Sequence, residues 1–508
     1  MQTRPKKPNR EEFARRSLPR VGLLTFIGLA TAVVLALNTS RVNPRADPPP
    51  VLLSVSIDAR HPGLRVPRDF LGLSFEMSSL RQISRYGDRG NMVALLRSLG
   101  PGVLRFGGVS ADTEVAWTDA ATPLPRWSSK AVDAGEFRDL RKLAARSGWH
   151  VMLTIGLAHF EPRAAAREAA AAKGALGRWL VGVELGNEPD AYARHRLRSE
   201  PWTFARYNAQ IGAYRRAIER AAPDLKIAGP DVSGSLIFES WGRDAALHDK
   251  PVLLTGHHYP LGCRTVPPPT ISRLLSAPVR QAEAVSLRRY MTVSRRGAIR
   301  FRLDEANSVS CGGTPGISDR FASALWAIDY MAHAMLDGVA GINLQGNPAK
   351  CLGYTPLCAS SPWRLDHGVM TPRPEWYALL MARALVGDRP VRTVVSPSKE
   401  NIDILALVSR EGKLHVLIVD DNPLGTKHVV VELHVGHRYQ AATVRELMAP
   451  SPTARTDVRI GSQALESNGR SRIQQPHKAR PDRSGAITLE LKPASAMLVT
   501  SSRASRDA

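Results

Sequence analysis

The chain reads as an α/β protein, a (β/α)8 barrel followed by a C-terminal antiparallel β-sandwich. Three observations carry this reading. Eight short runs rich in Val, Ile, Leu and Phe recur between residues 70 and 346, and stretches with helical periodicity separate them. Two of these runs lead into a glutamate, Glu188 and Glu305, at the strand ends where a parallel barrel presents its chemistry. Beyond about residue 390 the pattern changes to short, often alternating runs parted by turn residues, which suits a sandwich. With 508 residues and 43% hydrophobic content, the chain can bury a barrel core and one accessory domain.

In chain order, Arg15, Arg16 and Arg20 precede a charge-free segment, 21–40, whose apolar core is 21–37. This is an export signal or an uncleaved membrane anchor. As an anchor, its flanking arginines keep the N-terminus in the cytoplasm and place the rest outside, in the cell envelope or beyond. Pro44 and Pro48 to Pro50 make a short stiff tether, so residues 1–50 stand apart from the folded body. Residues 51–59 alternate like a strand. The barrel, 70–388, takes its strands from 70–77, 103–108, 150–156, 181–189, 226–232, 253–260, 299–307 and 341–346, with helical periods such as 137–146, 204–221 and 321–336 between them. The sandwich, 389–508, has runs at 402–409, 413–420, 428–434, 441–447, 486–491 and 496–500. Residues 461–485 are polar, basic and short of apolar side chains, and read as a mobile loop.

Glu188 then follows strand four and Glu305 ends strand seven, so both carboxylates point into one mouth. Two such groups facing each other across a sugar are the apparatus for cleaving a glycosidic bond. One protonates the leaving oxygen and the other attacks the anomeric carbon, with about 5–5.5 Å between them in a retaining enzyme. Either glutamate alone would be an ordinary surface or capping residue. Asn187, able to donate to a sugar 2-hydroxyl, and Pro189, which stiffens the backbone, turn the first motif toward catalysis. A carboxyl with an ordinary pKa of about 4.3 is no proton donor near neutral pH. Glu188 is therefore expected to be raised by burial and by the charge of Glu305, while donors such as Tyr259 or Arg105 keep Glu305 ionised.

Six motifs in order now carry a resemblance: Phe-Leu-Gly-Leu-Ser-Phe-Glu (70–76), Leu-Arg-Phe-Gly-Gly-Val-Ser-Ala-Asp (104–112), Gly-Asn-Glu-Pro-Asp (186–190), His-His-Tyr-Pro (257–260), Glu-Ala-Asn-Ser-Val-Ser-Cys-Gly-Gly-Thr-Pro-Gly-Ile-Ser-Asp (305–319) and Tyr-Thr-Pro (354–356). From about residue 51 to residue 500 the chain resembles glycoside hydrolase family 79, which contains β-glucuronidases and heparanase and belongs to the retaining clan A. The resemblance implies that Glu188 is the general acid/base and Glu305 the nucleophile. It implies that Gly312, Gly313 and Tyr354 hold the substrate carboxylate through backbone N–H groups and a phenol, a role that glycine's open backbone suits. Glu76 and Ser110 match positions used for sugar hydroxyls, whereas Val109 stands where relatives carry a polar residue. Tyr259 either donates to the nucleophile or lines the pocket. The resemblance also pairs the strand at 51–59 with the sandwich, making 51–69 an N-terminal part of that domain.

Cys263 follows strand six and Cys311 strand seven, and Cys351 and Cys358 share one loop. The expected bridges are Cys263–Cys311 and Cys351–Cys358, in an oxidising compartment, although four cysteines allow three pairings and spacing does not choose. The 14 histidines and four cysteines lack metal-ligand spacing, so no cofactor is implied. A net charge of +23 is scattered, without a groove-reading motif or aromatic-basic platform, which argues against nucleic acid and favours a uronic-acid glycan. Three functions fit: an exo-acting β-glucuronidase for glucuronic or 4-O-methylglucuronic acid, an endo-acting enzyme of the heparanase kind, and a non-catalytic carbohydrate-binding protein on the same fold. The insert around 344–363 as a wall of the pocket, and the lack of a heparin-type basic run, favour the first.

Overall fold

The computed structural model describes residues 50–503 except 427, 462–464 and 467–476. The export or anchor segment and most of the expected mobile loop lie outside the described residues. Eight parallel strands form the barrel: Leu71–Glu76, Val103–Gly107, His150–Ile155, Leu180–Leu185, Gly229–Val232, Leu254–His258, Phe301–Ala306 and Ile342–Gly346. Each pairs with the next except strands four and five, and strand eight returns to strand one. Strands four and five meet only at a bridge between Val183 and Ile227, where Val183 N–H donates to Lys226 O at 2.9 Å and Ala228 N–H to Val183 O at 2.8 Å. Strand five is thus shorter than expected, starting at Gly229 rather than 226. Pro230 lacks the N–H a ladder needs, which weakens pairing there.

Helices wrap the barrel. The one expected at 137–146 spans Ala134–Ser147, because Asp133 and Glu136 form a capping box that starts it a turn before its apolar stripe, and Gly148 ends it at φ 80°. Phe204–Ala221 and Phe321–Asp337 follow their apolar periods closely.

The C-terminal strands form one continuous path of hydrogen-bonded neighbours, antiparallel except where Val51–Asp58 runs parallel to Val429–His434. Arg389–Val395, missed in the sequence, joins the two halves of this path. Its first residues pair with Ile402–Val408 and its last with Val51–Asp58. The halves enclose a core that includes Val55, Ile404, Val416, Val431, Leu489 and Val499. The alternate residues Leu405, Leu407, Leu417, Val419 and Leu498 belong instead to the barrel's core. Those strands are buried on both faces, which is why they read as near-continuous apolar runs. Tyr439–Met448 is longer than expected. Part of the expected loop is ordered as His477–Ala479, a short strand that pairs with it.

Polar links reinforce the shared core. Phe321 and Ala322 N–H donate to the carbonyls of Ala454 and Pro452 at 2.8 and 2.9 Å. Arg280 donates to Asp329 at 2.8 Å and to Asn401 at 3.0 Å, and also pairs with Asp421. At the mouth, Cys263–Cys311 joins the loops after strands six and seven with Cα atoms 6.0 Å apart, and Cys351–Cys358 closes the loop after strand eight at 5.4 Å. Among the described residues no helix is long and apolar enough to cross a membrane.

Candidate active site

The interior of the barrel is charged where apolar strands place a polar residue inward. Arg105, on strand two, is completely buried. Its Nε donates to Glu184 at 2.9 Å and lies 3.0 Å from Asp304. Nη1 donates to Ser74 at 3.1 Å and to Glu305 at 2.8 Å, and Nη2 to Asn187 at 3.0 Å and Asp231 at 2.8 Å. One guanidinium therefore engages strands one, four, five and seven. His257, on strand six, is the second buried cation. Its Nε2 lies 2.8 Å from Asp231 and its Nδ1 3.0 Å from Glu188 and 3.8 Å from Glu305.

Burial opposes a charge on His257, but Glu305 and Asp231 outweigh it and raise the imidazole well above its usual range. Glu188 departs from expectation for that reason. Burial does push its carboxyl upward, yet the hydrogen bond and charge of His257 prevail and hold it below the usual carboxylate range. Glu188 and His257 thus share one proton, carried on the imidazole. Burial, then the charges of Asp231 and Glu184, drive the Asp304 carboxyl upward, against the pull of Arg105. Tyr259 donates its proton to the other oxygen of Glu305 at 2.7 Å, and its hydroxyl oxygen lies 3.4 Å from that of Tyr354. Of its two expected placements, the phenol takes the one on Glu305.

The loops are set by a second carboxylate. Asp112 accepts from Leu157 and Ala158 N–H at 2.7 and 2.9 Å, from Asn187 N–H at 2.9 Å and from the Tyr192 hydroxyl at 2.7 Å. It ties together the loops after strands two, three and four. Glu188 itself sits in the left-handed region at φ 45°, its N–H donating to Asp231 O at 2.9 Å, a conformation unfavourable for a side chain with a Cβ. The Asn187 amide is oriented by Arg105, and among the described residues nothing accepts from its Nδ2. Ser110 donates to Glu76 through its hydroxyl at 2.5 Å and its N–H at 3.0 Å. Burial and the charge of Glu305 push the Glu76 carboxyl up. A Cβ on Gly108 would meet that carboxylate at 2.4 Å, so the turn must be glycine.

Gly312 and Gly313 extend a left-handed turn begun at Cys311, with φ values of 60°, 88° and 81° in chain order. They differ in one respect from the expectation of two free donors. The Gly313 N–H already donates to Ser310 O at 3.2 Å, and a Cβ there would strike Tyr354 N at 2.3 Å. Gly313 is a packing glycine, whereas the Gly312 N–H is directed at the Tyr354 hydroxyl. His257, Asp231, Asp304, Glu184 and Asp112 were not singled out in the sequence. The available signal was a charged residue at an inward position of an otherwise apolar run, as in Val183-Glu184-Leu185.

Two clusters have metal-ligand composition, Asp231/His257/Asp304 and Asp329/His333/Asp403. In each, an arginine already supplies the cation: Arg105 reaches Asp231 and Asp304, and Arg280 reaches Asp329. The residues present suit a guanidinium rather than a metal ion.

The fold is one that glycoside hydrolases adopt. It is similar to the crystal structure of a 4-O-α-L-rhamnosyl-β-D-glucuronidase from Fusarium oxysporum 12S, with a TM-score of 0.72 and 16% identity, over 89% of this chain and 100% of that one. A family 51 arabinofuranosidase from Xanthomonas axonopodis pv. citri follows at a TM-score of 0.62 and 13% identity, over 89% and 100%. In sequence, the chain is similar to a β-glucuronidase of Aspergillus niger, 27% identical over 253 residues, or 45% of this chain and 44% of that protein. The chain therefore spans less than half the length of that curated relative. No protein-family model matches.

Asp112→Ala strands three buried N–H groups and a phenol, each costing roughly 1–3 kcal/mol when left unpaired. The variant should lose several kcal/mol in denaturant unfolding. A loss within error would show that Asp112 does not hold these loops.

Proposed function

We propose that the chain is a retaining exo-β-glucuronidase that releases terminal β-linked glucuronic acid, or its 4-O-methyl form, from glycans or glycoconjugates. One observation carries the reading. His257 Nδ1 lies 3.0 Å from an oxygen of Glu188 and 3.8 Å from one of Glu305, so those oxygens are at most the sum, 6.8 Å, apart. That range suits direct attack, for which about 5–5.5 Å is usual, better than the spacing of about 6.5–9.5 Å that admits a water. The similarity to a β-glucuronidase and the oriented Asn187 amide support it.

In the first step Glu305 bonds to the anomeric carbon as the bond to the leaving oxygen breaks, and that oxygen takes the proton of the Glu188–His257 pair through Glu188. In the second, water attacks the anomeric carbon as its bond to Glu305 breaks, and the proton lost by that water passes to the Glu188–His257 pair. Arg105 and Tyr259 hold the Glu305 carboxylate in place for both steps. Gly312 N–H and the Tyr354 hydroxyl are the donors for the C6 carboxylate, and Glu76 with Ser110 for ring hydroxyls. The two disulfides fit an exported protein, and the exo reading takes the disulfide-closed loop after strand eight, which carries Tyr354, as a wall on one side of the mouth.

The wild type should cleave an aryl β-glucuronide and leave the matching β-glucoside nearly untouched. Glu188→Gln should keep activity on activated leaving groups and regain turnover with azide, whereas Glu305→Gln should stay inactive; a preference for glucoside would overturn the substrate reading.

Removing His257 tests the shared proton. The active form is the protonated pair, which loses its proton only at high pH because His257 is raised above its ordinary value of 6.5. In His257→Gln a carboxyl alone must carry the proton, so the basic limb of the kcat/KM profile should move to lower pH. An unmoved limb would place the proton elsewhere.

A further inference from the structure

The helices after barrel strands five and six, Ser235–His248 and Ala277–Gly297, pack side by side, and their Phe238 and Tyr290 rings lie 5.0 Å apart. Away from that contact the two helices leave a groove of about 540 Å³. Ala246 and Gly297 bring their last turns together in it, since a Cβ on Gly297 would come within 3.0 Å of the Ala246 Cβ. The buried Val293 lines the groove, and so do Leu247 and Val285, which stay 62% and 36% exposed. Such an apolar wall on the outside of a barrel has no part in the two-glutamate chemistry.

The same lining carries four arginines against one glutamate. Glu239 pairs with Arg289 at 3.4 Å, and Arg243 donates to Asp244 at 3.0 Å. Arg288 and Arg296, both exposed, make no ion pair and no side-chain hydrogen bond among the described residues. They follow Val285 by three and eleven residues, which sets all three on one face of the helix. A guanidinium fork matches a phosphate, but a bare phosphate would leave Leu247 and Val285 in water. A symmetric pairing of two copies would set arginine against arginine. An anionic amphiphile satisfies both the charge and the apolar wall.

Both helices run from the mouth toward the end of the barrel where strands six and seven begin, so Leu247 and Arg296, in their last turns, lie at the end opposite Glu188 and Glu305. We propose that the groove is a docking site for the anionic phospholipids of a membrane surface, with phosphates on Arg288 and Arg296 and acyl chains along Leu247, Val285 and Val293. Docked there, the barrel keeps its mouth free. The site goes beyond the β-glucuronidase reading and stands or falls without it.

The test titrates the full chain with dihexanoyl phosphatidylglycerol below its micelle concentration and reads Kd by calorimetry. Saturable binding is expected, weakened about tenfold or more in Arg288→Ser/Arg296→Ser and about threefold in Leu247→Ser. Arg138→Ser/Arg141→Ser removes the same charge from the helix after strand two, Ala134–Ser147, and should change Kd by less than about twofold. All these side chains are exposed, so each variant should melt with the wild type. No saturable binding, undiminished binding in Arg288→Ser/Arg296→Ser, or an equal loss in the control pair would overturn the site. Equal affinity for dihexanoyl phosphatidylcholine or for inorganic phosphate would overturn it as well. Tighter binding of an acidic amphipathic peptide would give the groove to a protein partner instead.

Discussion

The site depends on one guanidinium. Arg105 contacts Ser74, Glu184, Asn187, Asp231, Asp304 and Glu305, and so gathers barrel strands one, four, five and seven around strand two. Without it the barrel would enclose Glu184, Asp231, Asp304 and Glu305 with only His257 to offset them. Removing one partner from such a buried network costs about 3–5 kcal/mol. An apolar interior would be no less stable, so these charges are better understood as positioning. They fix Glu305 from one side while Tyr259 fixes it from the other, and they let His257 carry a proton within reach of Glu188.

The barrel was legible because its signals are local. Each strand is a short apolar run, and the two glutamates and Asn187 stand at strand ends where periodicity alone places them. The long-range part was not. Nothing near Glu188 in sequence announces His257, which comes from strand six and reverses the direction expected for that carboxyl. Gly313 shows the same limit. A Gly-Gly pair suggests two open donors, yet its N–H is spent on Ser310 three residues back.

The C-terminal half was harder for a different reason. Arg389–Val395 carries a proline and two arginines in seven residues, so its strand character comes from two partners far apart in sequence rather than from its own pattern. His477 and Lys478 carry no strand signal of their own, and the strand His477–Ala479 forms where Tyr439–Met448 offers an edge. Elsewhere the apolar runs were long because one face meets the sandwich core and the other the barrel.

The proposed mechanism requires Glu305 to be close enough to Glu188, and well enough oriented, to bond to the sugar itself. The stereochemistry of the first-formed product tests this most directly. Proton NMR during hydrolysis of an aryl β-glucuronide, read before mutarotation, should show β-glucuronic acid appearing first and the α-anomer growing in later; α-glucuronic acid as the first product would mean that water attacks directly and would contradict the account.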